Sequence, residues 1–313
     1  MSAWVAACVQ AGLVAAVAPL LVGFMRAVRA RLEGRAGGRL VQPWRDLRKL
    51  LRKEPITPTG AGVVFTAAPV VLMATSVLVA AAAPYLSTRG PLSGAADLIV
   101  VVGLLLLGTV ALALAGLETG TAFGGMGASR EMTIAALVEP TLLLSVFALS
   151  TRVGSTDLGA IVAAGATDPA AVFTPASALA AAALAIAVLA EAGRLPVDNP
   201  ATHLELTMVH EAMVLEYAGR DLALVEWASA MRLSIMLGLL ANLFIPWGVA
   251  GSLHPAALAL AAGVFVVKLT VLAGLLAAGE VFLAKLRLFR IPELLAGSFV
   301  LGLLAVITSA VLA

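Results

Sequence analysis

The sequence predicts an all-α fold, a polytopic membrane helix bundle of about eight transmembrane helices with amphipathic helices in its cytoplasmic loops. Three observations predict it. The 313 residues are 61% hydrophobic and only 12% charged, with a mean hydropathy of +1.05. A soluble domain runs nearer a quarter charged, and its core could not hide so much apolar surface, whereas lipid solvates it. Apolar runs of spanning length recur along the whole chain. The basic residues fall almost entirely in alternate loops.

A spanning helix needs roughly 20 mostly apolar residues. The expected spans are 3–25, 62–84, 97–118, 132–151, 173–192, 222–246, 255–283 and 292–312. The fourth is interrupted by Glu139-Pro140. The first has no basic residues before it and exceeds the usual signal-peptide core of about 7–15 residues, so it reads as a membrane helix rather than a cleaved signal. Turn residues Gly90, Pro91 and Gly94, and later Asp168 and Pro169, punctuate outer connections. The chain 1–313 therefore forms a single integral membrane domain. It carries a basic amphipathic loop at 26–61 and an acidic, histidine-containing loop at 191–221.

Orientation follows from the basic residues. The 26–61 loop holds ten: Arg26, Arg29, Arg31, Arg35, Arg39, Arg45, Arg48, Lys49, Arg52 and Lys53. Arg130, Arg194, Arg220, Lys285, Arg287 and Arg290 bring that side to sixteen of twenty, and only Arg89 and Arg152 oppose them. The expected topology is multi-pass in a bacterial or archaeal cytoplasmic membrane with both termini outside. A lone cysteine, Cys8, permits no internal disulfide. One thiol also cannot hold an iron–sulfur cluster, so no cofactor is expected in this chain.

Three cytoplasmic stretches differ from ordinary connectors. In 26–61, Val41, Trp44, Leu47, Leu50 and Leu51 recur at helical spacing among basic residues, the pattern of a helix lying at the membrane surface. An anchor touching lipid headgroups and a platform for a soluble partner both fit; Gln42, Pro43, Trp44 and Asp46 are more particular than an anchor demands. The second stretch, GGMGASREMTIAALVEP, carries Glu139 to membrane depth. A carboxylate there costs at least about 2.5–3.5 kcal/mol on insertion scales, so it faces a polar path or a partner. The third, EAGRLPVDNPATHLELTMVHEAMVLEYAGRD, gathers six acids with His203 and His210. Were 201–217 one helix, Glu205 and Glu216 would share a face roughly opposite the two histidines. An H-x6-H spacing without cysteine is not a zinc pattern. A solvated polar helix or a cluster of titratable groups at the mouth of a polar pathway remain. Glu118, Glu226, Arg232, Lys268 and Glu280 lie further into the membrane.

Together these segments resemble the family of respiratory complex I subunit 1. The likeness is to its hydrogenase branch, of the formate hydrogenlyase subunit 4 and hydrogenase-4 component C type, which anchors group 4 nickel–iron hydrogenases. The likeness rests on EGRxG…QPWRDLRKLLRKE, GGMGASREM, EAGRLPVDNPATHLEL…HEAMVLEYAGRD and KLRLFRIPELL, in that order over nearly the whole chain. Glu139 resembles the acid ending the family's SYE-like stretch. Glu191, Arg194, Pro196 and Asp198 resemble its E-x-x-R-x-P-x-D element, and Glu205 and Glu216-Tyr217 its later E-L and E-Y positions. Two departures tell against quinone binding. Ala201, Thr202 and His203 stand where complex I has a glutamate-rich run, and the first loop lacks G-P-N-R-x-G-P.

The resemblance implies a subunit without an active site of its own, in a membrane-bound hydrogenase or formate hydrogenlyase-type complex. Implied partners are a nickel–iron hydrogenase large subunit, a small iron–sulfur subunit, a ferredoxin-like subunit and antiporter-like membrane subunits, with lipid around the bundle and no nucleic acid. The nickel–iron centre and iron–sulfur clusters would lie in those partners. Proton-path candidates are Glu139, Glu191, Asp198, Glu205, Glu211, Glu216, Lys268 and Glu280. Partner-docking candidates are Gln42, Trp44, Arg45, Asp46, Lys49, Arg130, Glu131 and Arg194. The alternatives are subunit 1 of a quinone-reducing complex I, a secondary ion transporter, and a plain anchor.

Overall fold

A computed structural model describes residues 2–92, 96–168, 172–195, 197–198, 208–283 and 290–312. Among them the fold is helical, with two isolated bridges, Ser87–Ala250 and Asp97–Asp157, and no sheet. The helices are α1 (Ala3–Leu32), α2 (Gln42–Leu51), α3 (Val63–Ala82), α4 (Leu98–Glu118), α5 (Ala122–Val153), α6 (Leu158–Thr167), α7 (Pro175–Glu191), α8 (His210–Val214), α9 (Gly219–Phe244), α10 (Pro255–Phe282) and α11 (Ile291–Leu312).

Seven of these, α1, α3, α4, α5, α9, α10 and α11, are long and apolar enough to cross a membrane. The span expected at 173–192 is α7, whose 17 residues give about 26 Å, the short end of spanning length. α6, apolar but 10 residues long, was not foreseen and is too short to span. α5 runs unbroken through Glu139-Pro140 and begins ten residues before the expected start. Gly124 and Gly127 are packing positions: a Cβ on Gly127 would press on Ala212, Val209 and Met213, so α8 lies directly against it.

α9 is the most buried of the spanning helices and packs against α1, α2, α3 and α10, while α5 packs against α4, α7 and α11. Two helices that contain proline are repaired from the α9 side. Proline has no N–H, so it leaves the carbonyl four residues earlier without its helical donor. Pro19 releases the Ala15 carbonyl of α1, and the Trp227 indole N–H donates to it at 2.9 Å. Pro69 releases the Phe65 carbonyl of α3, and the Tyr217 hydroxyl donates to it at 2.8 Å, the rings stacking 4.1 Å apart. Burial, with Asp221 and Glu118 nearby, pushes the Tyr217 phenol above its usual range, which keeps the donated proton in place. In a bilayer each unpaired carbonyl would cost several kcal/mol, so these aromatic donors hold bent-prone helices together.

The end opposite the basic loops is tied by amides. Gln10 donates to the carbonyls of Ala80 (2.8 Å) and Ala83 (2.7 Å), and accepts from the Leu86 N–H at 3.0 Å. Asn242 donates to the carbonyls of Pro84 and Tyr85.

Candidate functional site

At the end where the basic loops gather, a cavity of about 520 Å³ opens among α1, α2, α5, α7, α9 and α10. α2 forms one wall through Pro43, Asp46, Leu47 and Leu50. The sequence explains why it lies there. Leu47 is buried while Arg45, Arg48 and Lys49 stay exposed, as the amphipathic spacing requires. Trp44 donates its indole N–H to the Ala16 carbonyl at 3.1 Å and meets Trp227 edge-on with centroids 5.2 Å apart. The side chain that marked this helix for docking thus faces the bundle. Gln42 donates to Asp46 at 2.8 Å, and Lys49 lies 3.9 Å from the same carboxylate.

Besides Asp46, the cavity is lined by six acids from α5, α7, the loop after it, α8, α9 and α10: Glu131, Glu191, Asp198, Glu211, Glu226 and Glu280. Four guanidiniums, Arg26, Arg29, Arg194 and Arg232, line it as well. Two pairings organise these charges. Arg232, buried in α9, ion-pairs Glu191 at the end of α7 and donates to Thr109 of α4 at 2.6 Å. A Cβ on Gly108 would sit 2.7 Å from the Arg232 guanidinium, so glycine there makes room for the cation. Glu280 lies 3.6 Å from both Arg29 and Arg194. Burial draws Arg194 below the usual guanidinium range; Arg26 and Arg29 add to this and Glu280 opposes it. An arginine still keeps its proton, so this corner stays ionic.

Glu139 is buried in α5, and among the described residues neither carboxylate oxygen has a hydrogen-bond partner. The charges that bear on it are those of Glu191 and Arg232. A buried carboxylate with no hydrogen-bond partner is a costly arrangement that calls for an explanation.

The remaining candidates are dispersed. Glu131 and Arg194, grouped with docking residues by their sequence context, face the cavity. Glu216 is half-buried outside it. Lys268 lies elsewhere, donating to Asn242 Oδ1 at 3.0 Å and the Ile245 carbonyl at 2.5 Å, where it caps the end of α9. Glu205, with His203, falls outside the described residues. Among the described residues of 201–217 the helix covers His210–Val214, between a non-helical Val209 and the end of the helix before Glu216, so the facing of Glu216 against His210 on one helical wheel does not apply. Glu118 turns out to cap α3, accepting the Phe65 N–H at 2.5 Å. Sequence reasoning left the partner of Arg232 open, since Glu191 is 41 residues away.

His210 lines the cavity with its Nε2 3.3 Å from the Ser229 hydroxyl. Burial lowers its pKa below 6.5; Asp198 opposes this and Arg232 adds to it. The folded state therefore resists a proton that the unfolded chain accepts below about pH 6.5. Stability from this group is present above that pH and lost as pH falls through it. Thermal denaturation in detergent is expected to show a loss on acidification that shrinks in His210→Gln.

The profile of the NADH dehydrogenase family matches residues 5–311, nearly the entire chain. The chain belongs to this complex I subunit 1-like family. Two relatives of this subunit 1-like chain come from Escherichia coli K12. It is 35% identical to hydrogenase-4 component C over 299 residues, covering 95% of this chain and 92% of that one. It is 34% identical to formate hydrogenlyase subunit 4 over 300 residues, covering 96% of each. With an NADH-quinone oxidoreductase subunit of Koribacter versatilis it shares 29% identity over 211 residues, 62% of this chain and 50% of that one. A chain in the solved structure of the membrane-bound sulfane sulfur reductase, an archaeal respiratory membrane complex, superimposes with a TM-score of 0.82. That match covers 99% of the subunit 1-like chain and 100% of the other; at 21% identity it shows the fold alone.

Proposed function

We propose that this chain is the membrane-anchor and ion-coupling subunit of a membrane-bound hydrogenase or formate hydrogenlyase-type complex. The observation that carries the proposal is the contrast in coverage. Similarity to the hydrogenase-4 and formate hydrogenlyase subunits runs over 95–96% of the chain, whereas similarity to quinone-oxidoreductase subunits covers 62–73%.

In this reading the exposed basic face of α2, with Arg45 and Lys49, receives the soluble module, and Trp44 and Gln42 hold that face in place rather than meeting the partner. The soluble module consists of a nickel–iron large subunit, a small iron–sulfur subunit and a ferredoxin-like subunit; antiporter-like subunits adjoin it in the membrane. Their metal centres need thiolate ligands that this chain, with only Cys8, does not supply. Protons enter at the cavity, where Glu131, Asp198, Glu211 and Glu280 offer successive carboxylates, and pass by Glu191 and Arg232 to Glu139. In this reading both termini lie on the outer side of the cytoplasmic membrane and the cavity opens to the cytoplasm, an orientation that the distribution of basic residues supports.

Subunit 1 of a quinone-reducing complex I is the second reading, favoured by the size of the cavity beside apolar wall residues such as Leu47 and Leu50. The proteins that remain with this chain in mild detergent separate the two. A nickel–iron large subunit among them supports the first, and a full set of quinone-reductase subunits supports the second.

A further inference from the structure

A second hollow lies between α5 and α11, sharing Ile134 with the lining of the larger cavity. It is a groove of about 220 Å³ lined by Ser129, Arg130, Thr133, Ile134, Leu137, Ile291, Pro292 and Leu295. Its polarity is graded. Ser129, Arg130 and Thr133 sit toward the start of α5, and Leu137, two turns further along the helix, lies about 12 Å deeper than Ser129. From α11 only apolar residues contribute.

Depth follows from length. α5 has 32 residues, about 48 Å, against a hydrocarbon core of about 30 Å. With its far end, marked by Arg152, at one interface, the last 20 or so residues fill the core, and Arg130 stands just beyond the other. Among the described residues the guanidinium makes one hydrogen bond, donating to the Met208 carbonyl at 2.8 Å, and its remaining N–H groups can meet a ligand. Arg290, exposed, immediately precedes the groove residue Ile291 in the chain. Among the described residues no acid lines the groove: Glu131 faces the cavity instead, and Glu293 is exposed on α11 outside the lining.

We infer that this groove binds one anionic phospholipid from the leaflet at the basic-loop end, its phosphate on Arg130 with the hydroxyl of Ser129, and an acyl chain along Ile134, Leu137 and Leu295. A cation at headgroup depth above an apolar channel complements that ligand in both charge and length. A neutral helix from another subunit would match the apolar floor but leave the cation unused.

The test is native mass spectrometry of the intact complex in mild detergent, with added phosphatidylglycerol or phosphatidylcholine. Wild type is expected to retain phosphatidylglycerol in preference. Arg130→Gln should reduce that preference by roughly fivefold, the value of about 1 kcal/mol for one basic residue at the surface. Because Arg130 also braces Met208, Leu137→Trp provides a control that leaves that bond alone: filling the groove should abolish retention of either lipid there. Preference unchanged in Arg130→Gln, retention unchanged in Leu137→Trp, or a cross-link from position 137 to a neighbouring subunit's helix would each overturn the assignment.

Discussion

Replacing Arg232 with leucine is expected to cost the folded chain about 3–5 kcal/mol, because it strands Glu191 in a buried, low-dielectric site with no cation. Thr109 loses its donor in the same step. A domain is stable by only about 5–15 kcal/mol, so this single change takes away a large share. It should appear as a marked drop in the denaturation temperature of the detergent-solubilised protein and in the amount recovered from membranes. The pairing itself is tested by the double variant Glu191→Gln with Arg232→Leu, which removes both charges. Recovery of much of the lost stability is expected, and a double variant no better than the single one would show that Arg232 acts through something other than Glu191.

The second large effect falls on coupling rather than folding. Glu139→Gln keeps the size and shape of the side chain while removing its capacity to take up and release a proton. Since neither oxygen has a hydrogen-bond partner among the described residues, little structure depends on them. Assembly of the complex is expected to be intact and ion movement abolished, measured as acidification of inverted vesicles on addition of the electron donor. Undiminished acidification would remove Glu139 from the path.

The spans were legible because about 20 consecutive apolar residues have few other fates. The length of α5 was not, since Gly124, Gly125 and Gly127 read locally as a break, yet Gly124 and Gly127 permit the close approach of the end of α4 and of α8. α2 was legible from its period, but the direction of Trp44 was hidden, because it is decided by the Ala16 carbonyl 28 residues earlier. The acids of the site could be named from sequence as costly charges at membrane depth. Their pairing could not: Glu191 meets Arg232, and Glu280 meets Arg29 and Arg194, through contacts between helices far apart in the chain. Prolines carried a usable signal that went unread. Each proline inside a spanning helix calls for a donor to the carbonyl four residues before it, and Trp227 and Tyr217 are such donors.

The central claim, that this membrane chain holds a hydrogenase module through α2, is tested most directly by isolating the complex through a tag on this chain and identifying its companions by mass spectrometry. The wild-type chain is expected to bring with it a nickel–iron large subunit and iron–sulfur partners. The double variant Arg45→Glu, Lys49→Glu is expected to shed those soluble subunits while keeping its membrane partners. Recovery of the chain alone, or of a quinone-reductase assembly without a nickel–iron subunit, would contradict the account.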